Sequence, residues 1–304
     1  MIYTVTFNPA LDYVIALDKL SIGEMNRAKE TKLLAGGKGI NVSLVLQNLG
    51  YKSTAMGFVA GFTGCEIKKR LKEKGIFTDF IKLKEGESRI NVKIKANEET
   101  ELNANGPCIR NEDVEELFER LDKLKCGDYL VLAGSIPSSI PDTIYETIMQ
   151  KLSCKGVHFV VDASGELLMR ALKYEPFLIK PNKAELSEVC GRELRDRQEI
   201  IKAAVWLKAQ GAKNVLVSLA GEGAVLVAET GDIYDKPAVK GTIVNSVGAG
   251  DSTVAGFLAG FLERGDYEYA MRLGMSAGSA SAFSSELATW EQIHKWMEEW
   301  YAAV

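Results

Sequence analysis

A glycine-rich segment in front of a helix offers the clearest setting for chemistry in this sequence. The segment from Asn245 to Ser252 reads NSVGAGDS, and the residues that follow it, Thr253 to Leu258, have helical spacing. The first N–H groups of a helix lack partners inside the helix, and the helix dipole makes its start positive. This helix start therefore suits a phosphate or a developing negative charge, because glycines let a ligand approach the backbone closely.

Asp251 lies at this helix start with a carboxylate that could accept the proton of an attacking hydroxyl group. That is the arrangement of a general base. The alternative is that Asp251 only caps the helix, a position that Asp often occupies. Asp251 alone does not separate these two interpretations, and the other motifs of the chain favour the general base.

A second glycine-rich turn precedes an earlier helix. Residues Gly36 to Asn41 read GGKGIN, and apolar residues continue at helical spacing up to Leu49. This turn also suits an anionic ligand, with a lysine beside it. It is not a Walker A loop, and no G-x-G-x-x-G follows the first strand, so P-loop chemistry and dinucleotide binding lose support.

Short apolar segments alternate with amphipathic ones along the chain. The order predicts a mostly parallel sheet covered by helices on both faces, an α/β fold with three α/β/α layers. The predicted strands are Ile2 to Phe7, Thr54 to Val59, Tyr129 to Leu132, Val157 to Val161, Phe177 to Ile179 and Val215 to Leu219. The predicted helices include Asn111 to Leu124, Asp142 to Leu152 and Glu199 to Gln210, with Asn or Asp caps, and nearly all of Gly250 to Val304.

Two segments break this βα order, at about residues 11–33 and 88–104. Between Arg89 and Leu102, apolar and polar residues alternate, which predicts half-buried antiparallel ribbons. We expect both ribbons to project from one edge of a single domain, residues 1–304, as a small β-sheet lid. Because one layer of strands leaves an apolar face uncovered, a homodimer formed through the lid is expected.

The composition is that of a globular protein, with 46% apolar and 26% charged residues. A formal net charge of −4 argues against nucleic acid as a partner. No apolar run predicts a membrane segment, and we expect a cytoplasmic protein whose five separated cysteines are reduced thiols. His158, inside an apolar run, is interpreted as a core or strand-surface residue rather than a catalytic one.

Taken together, GGKGIN and NSVGAGDS resemble the two signatures of the ribokinase-like PfkB carbohydrate kinases. Two further segments match the family between them, namely Gly134 to Pro137 (GSIP) and Lys180 to Glu185 (KPNKAE), which contains an N-x-x-E element. The four motifs occur in register over almost the whole chain. The resemblance implies a ribokinase-like fold and ATP-dependent phosphorylation of a sugar.

The same resemblance implies roles for single residues. Asp251 would be the general base, and the N–H groups of Gly248, Ala249 and Gly250 would form the anion hole for the transferred phosphoryl group. Asn182 and Glu185 would organise hydrated Mg²⁺ beside the ATP phosphates, although both could instead form an ordinary capping box. The resemblance leaves open whether a monovalent cation such as K⁺ is needed near the C-terminal helices.

Residues in contact with ATP are also carried over from the family. They are Lys180, Asn182, Ser218, Gly221, Gly223, Ser246 and Ser279. The two glycines at 221 and 223 are equally typical of a hairpin turn. The small residues around Ser279 allow either an adenine ring or another helix to come close.

The segment Thr4 to Asp12 is similar to the phosphofructokinase-like branch of the family, and the sugar would lie against it. The implied sugar-binding residues are Asp12, Gly36, Gly37, Asn41, Ser88, Asn91 and Ser135. A sugar that already carries a phosphate needs cations, and Arg27, Lys38 and Arg89 are the candidates, each of which could also be an ordinary surface charge.

The strings Ser88 to Lys93 (SRINVK) and Thr100 to Asn103 (TELN) resemble the branch that phosphorylates the C6 hydroxyl of fructose 1-phosphate, giving fructose 1,6-bisphosphate. The branch that phosphorylates the C1 hydroxyl of tagatose 6-phosphate shares all catalytic motifs and stays an alternative. A sugar-phosphate-binding regulator without catalysis is a second alternative, and a dinucleotide-dependent oxidoreductase a third.

Overall fold

The structure of the protein is a computed structural model that describes the backbone of residues 1–302 and the side chains of residues 1–299. Nine strands form one sheet in the order β13-β12-β11-β10-β9-β8-β1-β4-β5, and four form a second in the order β3-β2-β6-β7. The strands are β1 (Ile2–Thr6), β2 (Ala10–Ala16), β3 (Glu30–Gly36), β4 (Ser53–Val59), β5 (Phe77–Lys82), β6 (Arg89–Lys95), β7 (Glu99–Asn103), β8 (Tyr129–Ala133), β9 (His158–Asp162), β10 (Leu178–Ile179), β11 (Asn214–Ser218), β12 (Ala224–Val227) and β13 (Ile233–Lys236).

Within residues 1–302 there are ten α-helices, of which the last three follow the final strand. They are α1 (Lys38–Asn48), α2 (Gly61–Glu73), α3 (Asn111–Leu121), α4 (Ile144–Leu152), α5 (Gly165–Leu172), α6 (Lys183–Val189), α7 (Arg197–Ala209), α8 (Ala249–Arg264), α9 (Tyr267–Ala282) and α10 (Trp290–Ala302). The predicted helices are confirmed, but two caps are wrong. Arg110 and Thr143, rather than Asn111 and Asp142, occupy the N-cap positions of α3 and α4.

The nine-stranded sheet is covered by helices on both faces. All five residues of β8 are buried: Leu130 and Leu132 pack with one set of helices, and Tyr129, Val131 and Ala133 with the other. Strands buried on both sides read as continuous apolar runs, which explains why they could be predicted. The three-layer α/β/α fold with a mostly parallel sheet is confirmed, and all six predicted strands are present.

The small sheet is built from the two predicted ribbons. β2 pairs with β3, and β6 with β7, in antiparallel fashion. A parallel pairing of β2 with β6 joins the ribbons into one sheet, the lid, with Ala10 opposite Arg89 and Asp12 opposite Asn91. Leu11 of the lid is buried against Ile67 and Leu71 of α2, so the lid is attached to the large domain at that point.

Helices α8 and α9 pack unusually closely through small residues. A Cβ on Gly274 would lie 2.8 Å from the Thr253 carbonyl oxygen, and one on Gly278 would lie 2.3 Å from the Thr253 Oγ1. These small residues therefore serve helix packing, which fixes the start of α8 against the rest of the domain. Within residues 1–302, no helix is long and apolar enough to cross a membrane.

Candidate active site

The predicted site residues gather where the parallel strands end. The carboxyl ends of such strands meet at one edge of the sheet, where α/β proteins bind ligands. Asp162 ends β9, Lys180 follows β10 and Ser135 follows β8. The starts of α1 and α8 lie at the same edge, because Asn41 in the first turn of α1 contacts Asp251 in the first turn of α8.

Asp251 is 5% exposed and lies in the first turn of α8. Its Oδ2 accepts a hydrogen bond of 2.8 Å from the Asn41 Nδ2. Burial, and next to it the negative charge of Asp162, raise the pKa of Asp251 from 3.8 to about 6. A carboxylate with this pKa binds protons more readily than an ordinary Asp and is still mostly ionised at neutral pH, as a general base requires.

The backbone in front of Asp251 is shaped for an anion. Gly248 has φ 79°, a left-handed conformation that favours glycine. In the part of the chain that the structure describes, the N–H groups of Gly248 and Gly250 have no hydrogen-bond partner, and that of Ala249 reaches only the Ser246 carbonyl at 3.4 Å. A Cβ on Gly250 would lie 3.2 Å from the Lys180 Nζ, so an ammonium group borders this helix start.

Asp162 lies between two lysines. Its Oδ2 is 3.2 Å from the Lys38 Nζ and its Oδ1 is 3.4 Å from the Lys180 Nζ. Burial opposes the charge of Asp162, but the two lysines outweigh it and lower the pKa of this carboxyl group. Burial likewise opposes the charge of Lys38, yet Asp162 and Asp251 raise the pKa of this lysine. The sequence prediction of the site did not include Asp162.

A cavity of about 340 Å³ opens beside this cluster. It is lined by Asn8, Gly37, Lys38, Arg89, Ser135 and Asp162, together with seven neighbouring residues. The Arg89 Nε donates to the Asn8 carbonyl oxygen at 3.1 Å, which holds the guanidinium in place at the start of β6. Burial lowers the pKa of Arg89, and the negative charge of Asp12 opposes this shift. No carboxylate of the described residues forms an ion pair with Arg89, so its remaining donors are available to an anion.

Asp12 is held rigidly on β2 in the lid. Its Oδ1 accepts from the Asn91 Nδ2 at 2.9 Å, and its Oδ2 lies 3.0 Å from the Lys93 Nζ. A Cβ on Gly36 would lie only 2.5 Å from the same Oδ2, which explains a glycine there. Asn91 Oδ1 is buried without a partner in the described chain, as expected for a group that binds a ligand. Lys93, which sequence reasoning missed as a site residue, could have been found from the period-two alternation of the ribbon, which places it on the same face as Asn91, the partner of Asp12.

Asn182 and Glu185 form the capping box of α6. The Asn182 N–H donates to Glu185 Oε2 at 2.8 Å, and the Glu185 N–H donates to Asn182 Oδ1 at 2.9 Å. Glu185 is nevertheless close enough to Lys38 to influence its pKa, and its second oxygen remains for a ligand. Among residues 1–302, no three metal-binding side chains come together. These residues therefore fit a largely hydrated Mg²⁺ that is shared with phosphate oxygens.

Of the predicted nucleotide-binding residues, Lys180 belongs to this cluster through its contact with Asp162. Ser218, at the end of β11, forms an isolated bridge with Asn182, and Ser246 and Ser279 are at least partly exposed. Gly221 has open space around it, whereas a Cβ on Gly223 would lie 2.0 Å from the Lys236 carbonyl oxygen. Gly223 therefore packs under β13 as part of a hairpin turn, which explains a glycine there, and its role in nucleotide binding stays a prediction.

Two predicted sugar-binding residues are not brought to the site. Ser88 is buried and does not line the cavity that contains Arg89. It also does not line a second, neighbouring cavity, which Asp12 lines. Its Oγ accepts a hydrogen bond of 2.9 Å from the Ala60 N–H. Its hydroxyl thus fixes the start of β6. Arg27 is exposed in the connection between β2 and β3, beyond the Ala16–Glu30 pair, which is the opposite end of the ribbon from the Ala10–Gly36 pair.

Comparison with known proteins places this geometry in context. The model of the pfkB family carbohydrate kinases matches residues 5–292. The chain is 46% identical to 1-phosphofructokinase of Bacillus subtilis, covering 98% of both chains, and 36% identical to D-tagatose-1-phosphate kinase of Bacillus licheniformis, covering 94% of both. The structure of phosphofructokinase-2 from Escherichia coli in complex with substrates and products matches with a TM-score of 0.94, at 27% identity and 99% coverage of both chains.

A ribokinase from Arabidopsis thaliana, 20% identical, matches with a TM-score of 0.77 over 98% of both chains. At this identity the likeness concerns the fold alone, and it confirms the ribokinase-like architecture that the motifs predicted.

Proposed function

The chain belongs to the pfkB family of carbohydrate kinases, and from that membership we propose that it transfers the γ-phosphoryl group of ATP to the C6 hydroxyl of fructose 1-phosphate, giving fructose 1,6-bisphosphate. The observation that carries this proposal is the position of Asp251. A buried carboxylate is held by Asn41 at a helix start where, among the described residues, the N–H groups of Gly248 and Gly250 have no partner, which unites a proton acceptor with an anion-binding backbone. Transfer of a phosphoryl group to an alcohol needs both.

In the proposed reaction, Asp251 accepts the proton of the C6 hydroxyl as the hydroxyl oxygen attacks the γ-phosphorus, and the bond from that phosphorus to the oxygen of the β-phosphate breaks and releases ADP. The N–H groups of Gly248 and Gly250 stabilise the negative charge on the transferred group, and Lys180 adds a positive charge beside them. Asn182 and Glu185 would hold Mg²⁺ near the ATP phosphates. When bound, this ion neutralises phosphate charge.

The substrate phosphate would bind in the cavity of about 340 Å³ that Arg89 and Lys38 line. A half-buried guanidinium without a carboxylate partner matches the geometry of a phosphate group, because it can donate two parallel hydrogen bonds. Asp12 and Asn91, fixed in the lid, would bind sugar hydroxyls. Unphosphorylated sugars would leave Arg89 without its anion and should be poor substrates.

The names of the relatives favour a ketohexose 1-phosphate. The substrate of the B. subtilis relative follows from the name 1-phosphofructokinase, and that of the B. licheniformis relative is D-tagatose 1-phosphate. Both sugars carry the phosphate on C1, which leaves C6 as the free terminal hydroxyl. The proposed transfer to C6 is therefore chemically the same for the two sugars.

A coupled assay of ADP release tests this proposal. It compares fructose 1-phosphate, tagatose 1-phosphate, tagatose 6-phosphate, fructose 6-phosphate and unphosphorylated fructose at equal concentrations. We expect the highest kcat/KM with fructose 1-phosphate. A preference for a sugar 6-phosphate would mean that the C1 hydroxyl, not the C6 hydroxyl, accepts the phosphoryl group. Turnover of unphosphorylated fructose alone would contradict the binding of a substrate phosphate by Arg89.

We further propose a homodimer formed through the lid, and a cytoplasmic location. Tyr13, Val92 and Leu102 are consecutive partners across three strands and so share one face, on which Tyr13 is 37% and Leu102 57% exposed. A second copy of the chain would cover this apolar face. All five cysteines are free thiols, which suits a reducing compartment.

A further inference from the structure

Asp162 is the most deeply buried carboxylate of the site, with 2% exposure. It ends β9 opposite Ala133 of β8, in the middle of the large sheet. Its two oxygens lie 3.2 Å from the Lys38 Nζ and 3.4 Å from the Lys180 Nζ. A carboxylate at this depth is stable as an anion only because two cations compensate it.

The two lysines come from different elements and border the site on different sides. Lys38 begins α1 and lines the cavity that contains Arg89. Lys180 follows β10 and approaches the start of α8, where a Cβ on Gly250 would lie 3.2 Å from its Nζ. Asp162 lies between them, so one carboxylate determines where both ammonium groups stand. Without it, the buried Lys180 ammonium group would lose the ion pair that compensates its charge.

We propose that Asp162 is a positioning residue for phosphoryl transfer, which fixes Lys38 beside the cavity that Arg89 lines and Lys180 beside the start of α8, and which controls proton acceptance by Asp251 through its charge. This inference rests on the proposed phosphotransferase function. It adds to that function a residue that touches neither sugar nor nucleotide and acts through its neighbours.

The charges around Asp251 determine in which direction its pKa shifts when Asp162 is replaced. The groups that face it are Asn41 and Lys38 on α1, Lys180 after β10, and Asp162 on β9. Burial and then Asp162 raise its pKa, while the Asn41 hydrogen bond and the two lysines lower it. Replacing Asp162 by a neutral residue of the same shape removes one raising influence and leaves the lysines uncompensated. Both changes lower the pKa of Asp251.

The variant Asp162→Asn tests this inference. We expect kcat to fall about tenfold to hundredfold, because a displaced Lys180 no longer meets the transferred group. The KM for the sugar phosphate should rise by less than about tenfold, because Lys38 loses its partner while Arg89 and Asp12 are untouched. The pH at which kcat falls to half on the acidic side should decrease by about one unit, measured at saturating substrate.

Asp128→Asn is the matched control. Asp128 is also a buried carboxylate, but it lies just before β8 at the opposite end of the sheet, where it pairs with the N-terminal amine at 2.8 Å. Its replacement should lower the melting temperature and leave the pH dependence of kcat unchanged. The inference is overturned if Asp162→Asn behaves in the same way as this control.

A second variant, for which the expected shift in the pKa of Asp251 has the opposite direction, covers the case in which Asp162→Asn does not fold. Lys38→Met removes a cation that lowers the pKa of Asp251, so the acidic half-point should move to higher pH. The ¹³C NMR titration of Asp251, assigned with Asp251→Asn, reports both shifts without any turnover. If wild-type protein releases no ADP with any sugar phosphate, the proposed function fails, whereas an unchanged NMR midpoint in both variants overturns the role of Asp162 alone.

Discussion

Asn41 and Asp251 lie 210 residues apart in the chain, and the side-chain amide of one donates a hydrogen bond of 2.8 Å to the carboxylate of the other. This contact brings the two glycine-rich turns to one place, as the sequence predicted. It also fixes one oxygen of Asp251 and leaves the other for a substrate hydroxyl. The orientation of the proposed base is therefore set by the helix that follows the first turn.

Replacement of Asp251 by Asn should reduce kcat by about a hundredfold to ten-thousandfold, the usual contribution of a general base. Calorimetric titration should show that fructose 1-phosphate binds with a Kd within about threefold of wild type, since the amide keeps the shape of the carboxylate. Asp266→Asn is the control, because Asp266 caps α9 far from the site and Asn caps equally well. Turnover close to wild type in Asp251→Asn would exclude the base.

The same replacement should stabilise the protein at high pH. Because the pKa of Asp251 is raised from 3.8 to about 6, folding disfavours its ionised form, fully above pH 6 and not at all below 3.8. Asp251→Asn should therefore raise the free energy of unfolding by up to about 3 kcal/mol at pH 8, and the gain should disappear towards pH 4. Urea denaturation at both pH values measures this. Equal stability at pH 8 would mean that burial of the charge costs nothing.

Loss of Arg89 should weaken binding of the sugar phosphate rather than the chemical step. For Arg89→Ala we expect KM to rise about tenfold to hundredfold at nearly constant kcat, since a charge-assisted hydrogen bond pair is lost. Arg89→Lys should recover only part of the affinity, because lysine cannot form the two parallel bonds. Arg110→Ala, which removes an exposed arginine paired with Glu85, is the control. A pure kcat effect would contradict the phosphate-binding role.

The exposed apolar face of the lid should hold two copies of the chain together. Leu102→Asp should convert the dimer into a monomer at micromolar concentration, because it places a charge in the contact. Light scattering coupled to size-exclusion chromatography measures the mass. Leu262→Asp, an exposed leucine on α8, should leave the dimer intact. A monomeric wild-type protein would refute the lid contact directly.

Much of the fold could be predicted because the central strands are continuous apolar runs with turns between them. Three strands of the large sheet were missed: β12 (Ala224–Val227), which is short and fully buried next to the edge, and the two edge strands. β5 carries Thr78 and Asp79 within its run, and β13 alternates exposed residues, so neither has the pattern of a buried strand. The parallel pairing of β2 with β6 could not be read from the sequence either, since nothing local decides which strands of two ribbons meet.

The site was predicted where a motif marks it. Asp251, Asn41 and Lys38 lie in glycine-rich turns, whereas Asp162 ends the plain strand HFVVD and carries no motif. Its position after a buried parallel strand was the available signal. Ser88 and Gly223 show that a segment resembling the family can also contain residues that are occupied by contacts within the fold. Both lie in segments that resemble the family, yet the hydroxyl of Ser88 and the backbone of Gly223 are occupied by contacts within the fold.

The parallel ladder between β2 and β6 makes the lid a single plate. Asp12 belongs to one ribbon and Arg89 to the other, but neither can shift by more than a fraction of a strand spacing without breaking that ladder. If Asp12 binds the sugar hydroxyls and Arg89 the phosphate, as proposed, both groups of one ligand contact a single rigid unit. A molecule that has only the hydroxyls or only the phosphate would make half of these contacts with the lid, and water would retain access to the γ-phosphate.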